Sequence, residues 1–242
     1  EDQAVQRSRR LHVGASKVHK WLSLVIGAQL LIWFASGALM SFLPIEKVRG
    51  EQLVDRAAFA ALPRGTVTVS SDRLLAQAGA PVETITWRVL DGQPVAEVKT
   101  RDGILLFNAT GKKVAPIDAP TATRIAQAAW KGATRPASGA VLVTAESTEY
   151  KEALPAWRIA FEDADRTRVF VSASTGRIVA VRTSTWRLYD FFWGLHIMDW
   201  QNHEDFNSWW LLAFAIGAVA LGLAGSVLLV MRWPLRSRRR SA

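Results

Sequence analysis

The chain has 242 residues, half of them hydrophobic, a formal charge of +9 and no cysteine. The missing cysteines exclude disulfides, thiolate metal sites and a cysteine nucleophile. The charge does not point to nucleic acid, because its clusters flank apolar runs and no DNA- or RNA-binding motif accompanies them.

Residues 1–20 form a basic segment carrying Arg7, Arg9, Arg10, Lys17 and Lys20, together with His12 and His19. Seven residues apart on a helix, the two histidines would share a face. The chain opens on Glu1 rather than Met, so further residues are expected ahead of it. Residues 21–45 follow without a charge and read as a first transmembrane helix. At 1.5 Å per residue, about 25 residues give roughly 37 Å, enough to cross a hydrocarbon core of ~30 Å. A signal peptide has a shorter apolar region. A buried soluble helix lacks the basic flank and the interfacial Trp21.

Residues 46–205 are expected to form an α+β extracytoplasmic domain of two units, 46–118 and 119–185, ahead of an apolar interfacial segment, 186–205. In the first unit Ser71-Asp72 caps a short helix running to Gly79. Val82–Leu90, Pro94–Thr100 and Ile104–Asn108 read as strands joined at Asp91-Gly92 and Asp102-Gly103, and a Thr110-Gly111 turn leads into Lys113–Ala115. The order then repeats. Thr121 or Thr123 starts a helix through Trp130, strands follow at Val141–Ala145, Ala156–Phe161 and Arg168–Ser172, and a Thr175-Gly176 turn leads into Ile178–Arg182. The segments starting at Ile104 and Val169 align residue for residue through their Thr-Gly turns, a period of about 65 residues that is too few copies for a solenoid. The expected fold class is therefore an α+β domain, a helix on an antiparallel sheet in each half, held by two transmembrane α-helices.

The segment 186–205 is rich in aromatics and carries His196 and His203, with Asp190, Asp199, Glu204 and Asp205 nearby. The aromatics mark an interfacial depth, and would equally line a pocket or groove. The carboxylates would orient imidazoles or act as ordinary interfacial charges. Residues 206–231 read as the second transmembrane helix, with Ala218, Gly222 and Ser226 on one face, suited either to the first helix or to a second copy of the chain. Residues 232–242 form a basic tail of Arg232, Arg236, Arg238, Arg239 and Arg240. Basic residues at both ends place both termini in the cytoplasm of a bacterial cell and the central domain in the periplasm, with the chain in the inner membrane.

Helix, strands and a strand–Thr-Gly–strand hairpin resemble the PepSY domain, and two such units between two spans resemble the PepSY-associated transmembrane family. Val18-His19-Lys20-Trp21-Leu22-Ser23-Leu24 resembles the entry to that family's first helix, with Ser23 where glycine is usual. Phe192-Trp193-Gly194-Leu195-His196-Ile197-Met198 resembles its later Leu-His segment. The resemblance implies kinship with haem-carrying ferrisiderophore reductases.

No Gly-x-Ser-x-Gly elbow, His-Glu-x-x-His or Walker loop is present, which removes the commonest hydrolase and nucleotide sites. The four histidines bracket the two membrane surfaces. Imidazole is the common axial ligand of a haem iron, and haem b needs no covalent Cys-x-x-Cys-His attachment. His19 and His196 are the expected iron ligands, with His12 and His203 as further cofactor-binding candidates. In a homodimer, two copies of His19 would hold one haem b and two of His196 another. Such a protein would pass electrons to a periplasmic acceptor such as a ferric siderophore. The alternative is a non-catalytic PepSY regulator of a periplasmic peptidase, or an accessory subunit of a larger membrane complex, with His19 an interfacial anchor and His196 outside the bilayer.

Overall fold

The computed structural model describes residues 2–56, 61–62, 64–133 and 139–232, and side chains only from 20 to 226 of these. The chain divides into two compact units, Glu1–Phe42 with Asp190–Ala242, and Leu43–Tyr189.

In the first unit, α1 (Asp2–Phe42) is one unbroken helix. It contains no proline, and it ends just before Leu43-Pro44, since the residue before a proline is pushed out of helical geometry. The first span expected to reach Ile45 therefore stops at Phe42, and Ile45 opens α2 (Ile45–Val48). The last helix, α6 (Trp209–Arg232), starts three residues later than the expected 206, where the Ser208 carbonyl accepts from Leu212 N at 3.1 Å. Lys20–Phe42 and Trp209–Ser226 are long and apolar enough to cross a membrane. The two helices pack where α6 has no side chain: a Cβ on Gly217 would stand 2.8 Å from Ile26 Cδ1. Ala218 is half-buried, while Gly222 and Ser226 stay exposed, and a Cβ on Gly222 would meet nothing within 4 Å.

The second unit is α+β. Its first half comprises α3 (Ser71–Ala78), β1 (Val82–Leu90), β2 (Gln93–Thr100) and β3 (Gly103–Asn108), with the strands in order β1-β2-β3, all antiparallel. Ser70, one residue earlier than expected, caps α3 by accepting from Arg73 N, and Gly79 closes it at φ +69°. The second half comprises α4 (Ala119–Ala129), β4 (Val141–Val143), β5 (Ala156–Ala160), β6 (Arg168–Ser172) and β7 (Ile178–Arg182), in antiparallel order β4-β5-β6-β7. The cap of α4 is Asp118, whose side chain accepts from Thr121 N at 2.9 Å, rather than Thr121 or Thr123. A carboxylate there also complements the helix dipole.

The halves differ after their Thr-Gly turns. Ile178–Arg182 forms a full strand, whereas the strand expected at Lys113–Ala115 is reduced to a bridge between Phe107 and Lys113. Pro116 lacks the N–H that would extend the ladder.

One core serves both halves. Leu90, Val95 and Leu106 of the first sheet meet Ile159, Val169, Val171 and Val181 of the second, with Ala122 and Ala126 of α4. The far face of the first sheet packs Ala96, Val98 and Phe107 under Leu74 of α3. Beside the shared core lies Glu97, only 6% exposed. It accepts from Arg88 Nε at 2.6 Å and from Arg177 Nε at 2.8 Å, and Arg88 also donates to the Thr175 carbonyl. Burial pushes the Glu97 carboxyl up; the hydrogen bonds and charges of Arg177 and Arg88 outweigh this and hold it below the ordinary range. Glu97 thus ties β2 to the second Thr-Gly turn.

Glu97→Ala leaves Arg88 without its carboxylate and is expected to cost about 3 kcal/mol. Glu83→Ala, which breaks the exposed pair with Lys99, is expected to cost less than about 1 kcal/mol. Denaturant unfolding followed by circular dichroism compares the two.

Candidate functional site: two oriented imidazoles

Helix α5 (Ser184–Ile197) carries His196, and the loop after it carries His203. His196 Nδ1 lies 2.9 Å from Ser36 Oγ on α1. Ser36 is 1% exposed and stands within the apolar stretch Lys20–Phe42, six residues, or about 9 Å, before its end. His196 therefore packs against the apolar stretch of α1. The ring also lies beside Gly37, where a Cβ would stand in ordinary contact with it, 3.5 Å from His196 Cε1.

The hydrogen bond assigns the tautomer. Ser36 Oγ also lies 2.7 Å from the Ile32 carbonyl and 3.1 Å from that of Trp33. A carbonyl only accepts, so the hydroxyl spends its proton there and its oxygen accepts from His196 Nδ1–H. Nε2 then carries the lone pair, the atom an iron or other metal would take.

His203 is held by three contacts. Its Nδ1 lies 2.7 Å from Asp190 Oδ2. Its carbonyl accepts from Trp193 Nε1 at 3.0 Å. Its ring covers Gly194, where a Cβ would overlap the imidazole. It sits at φ +58°, a left-handed conformation that non-glycine residues seldom adopt. The loop around it is built on Asp199, which accepts from the amides of Gln201 and Asn202 through Oδ1 and of Glu204 and Asp205 through Oδ2. These four backbone donors hold the Asp199 carboxyl far below its usual range. Of the carboxylates near these histidines, Asp190 is thus the one that orients an imidazole. Asp199 shapes the loop, and Asp205 accepts from Asn207 N at 2.9 Å.

The structure brings His196 and His203 into one unit but gives them separate partners. His12 and His19 lie on the backbone of α1, and their side chains are outside the described residues; so are Trp233 and the basic tail. No group of three or more His, Cys, Asp or Glu side chains capable of caging a metal stands together among the described residues. The donors present fit an imidazole ligand: a half-buried ring, fixed through Nδ1 by a partner that leaves Nε2 free of that contact. Two buried donors lie on the same stretch of α1 as Ser36, Gln29 Nε2 and Trp33 Nε1, with no hydrogen-bond partner among the described residues. Sequence reasoning missed Ser36 as a functional residue because, beside Ala35 and Gly37, it reads as one more small residue for helix packing. Only its contact with His196 separates it from them.

A family description, PepSY-associated TM region, matches residues 16–242. The chain belongs to this family. The match takes in both apolar helices, the α+β unit and the two imidazoles, and with the apolar helices it supports a membrane protein in contact with lipid. No curated protein and no solved structure matches the chain.

Gly194→Ala is expected to expel the His203 ring from Asp190 at a cost of about 1–3 kcal/mol. Denaturant unfolding checks this, and adding Asp190→Asn to Gly194→Ala should then cost little more, since the contact is already lost. The loop has its own pH signature. Because the folded Asp199 carboxyl is depressed, its contribution is present above the unfolded value near 3.8 and is lost only as pH falls through the lower, folded value. Amide exchange at Gln201, Asn202, Glu204 and Asp205 should therefore stay slow through pH 4 in the native chain and become fast in Asp199→Ala at every pH.

Proposed function

We propose that this PepSY-family protein of the bacterial inner membrane carries haem b through His196 and passes electrons to a periplasmic acceptor such as a ferric siderophore. The observation that carries the reading is the Ser36–His196 hydrogen bond at 2.9 Å. It directs Nε2 away from its anchor and holds the ring against an apolar helix. Haem b, when bound, supplies one-electron chemistry. The chain's part is to orient and to exclude water. Ser36 fixes the His196 tautomer, Asp190 fixes His203, and the apolar residues of α1 and α6 keep the dielectric low.

A homodimer completes the picture, because one chain offers a single His196. Two copies of His196 would be the axial pair of one haem, and two of His19 the pair of another nearer the cytoplasm. The uncovered backbone at Gly222 suits a helix surface that a second copy completes. In this topology both termini are cytoplasmic and Leu43–Tyr189 is periplasmic, its two helix-and-sheet halves being the two PepSY units that would receive the acceptor.

Detergent-purified protein should show a bis-imidazole b-type spectrum on dithionite reduction, as prepared or after haemin titration. His196→Ala should abolish at least one haem while circular dichroism stays native. Ser36→Ala should keep the spectrum but weaken haem affinity by about tenfold or more and raise the midpoint potential, since the ligand loses the partner that makes it basic. A colourless protein that refuses added haemin overturns the proposal.

A further inference from the structure

The two Thr-Gly turns have diverged in charge. Aligned through their glycines, Lys112 of the first turn corresponds to Arg177 of the second. Arg177 is neutralised by Glu97. Among the described residues no carboxylate pairs with Lys112, with Lys113 beside it, or with Arg73 of α3. These three cations line a cleft of about 700 Å³ between α3 and the first turn, together with Gln77, Thr110 and the edge of Phe107. No acidic side chain lines it.

The cleft is built on a rigid turn. Asn108 Oδ1 accepts from Thr110 N, Thr110 Oγ1 and Lys112 N at 2.8–3.1 Å. Gly111 sits at φ +83°, and a Cβ on it would stand 2.6 Å from Val69 Cγ2, so no other residue fits without displacing the segment that leads into α3. The second turn pairs its cation with Glu97; among the described residues the first has no such carboxylate.

The geometry points to this cleft as a binding site for a small multivalent oxyanion, a polycarboxylate or a phosphate-bearing molecule, taken from solution. Three cations and the Gln77 amide match two or more anionic groups on one compact ligand. The size suits a molecule of a few dozen atoms at most. The site is independent of the haem reading, and a colourless protein would still bind.

Full-length protein in zwitterionic nanodiscs, titrated calorimetrically with citrate and with inorganic pyrophosphate, tests it. At least one of the two should bind with Kd below about 1 mM, more weakly as salt rises. The variant Lys112→Gln/Lys113→Gln, and separately Arg73→Gln, should lose tenfold or more in affinity with an unchanged circular dichroism spectrum. Arg101→Gln, an exposed cation outside the cleft, should lose nothing. Silence with both anions overturns the site, as does an equal loss in Arg101→Gln, which would mean unspecific attraction. Binding of phosphatidylglycerol liposomes without either soluble anion overturns the soluble-ligand assignment in favour of a lipid headgroup.

Discussion

A polar group removed from water must find a partner, and most of what is specific about this structure follows from meeting or failing that requirement. Glu97 meets it with two guanidiniums, and in doing so joins the first sheet to the second Thr-Gly turn. Ser36 meets it twice, donating its proton to its own helix and accepting one from His196. His203 meets it with Asp190. Gln29 and Trp33 fail it among the described residues, and the failure lies on the helix that also anchors His196.

The two kinds of unit use this requirement differently. In Leu43–Tyr189 the burial is apolar and shared: residues from both sheets fill one core, so neither half of the duplication would keep a full core alone. A second carboxylate, Glu149, gathers Arg168 at the start of β6 and Arg187 near the start of α5. In the helical unit Ser36 pairs with His196 and Asp190 with His203, and in a low-dielectric setting each contact is stronger than it would be in water. A family whose members pass through a bilayer can keep such groups only where they pair with one another or act on a ligand.

The two halves follow a similar order of elements, yet corresponding positions do unlike things. Pro116 cuts short the strand that Ile178–Arg182 completes. The cation after one glycine is committed to Glu97, and the cation after the other is left facing a cleft. A repeat preserves the turn because the turn is a backbone requirement, with Gly111 at φ +83° and Gly176 at φ +69°. It leaves the residues that follow free to change.

By itself the sequence determined the elements. Two charge-free runs of bilayer length, the alternation within the strands and the Asp-Gly and Thr-Gly turns are local signals. Accordingly β1, β6 and β7 fall on their expected residues, and α3 and α4 start from the nearest cap, Ser70 or Asp118. The histidines were legible as the residues most able to do chemistry, because imidazole is rare here and brackets the apolar runs. What only the tertiary structure decided is which atoms they use. That Ser36 holds His196 across 160 positions of chain, that Asp190 rather than Asp199 holds His203, and that Glu97 neutralises Arg177 while Lys112 stays unpaired are all long-range pairings. No periodicity encodes them. They arise when packing brings two elements within hydrogen-bond distance, and that distance depends on the whole core rather than on the residues that meet.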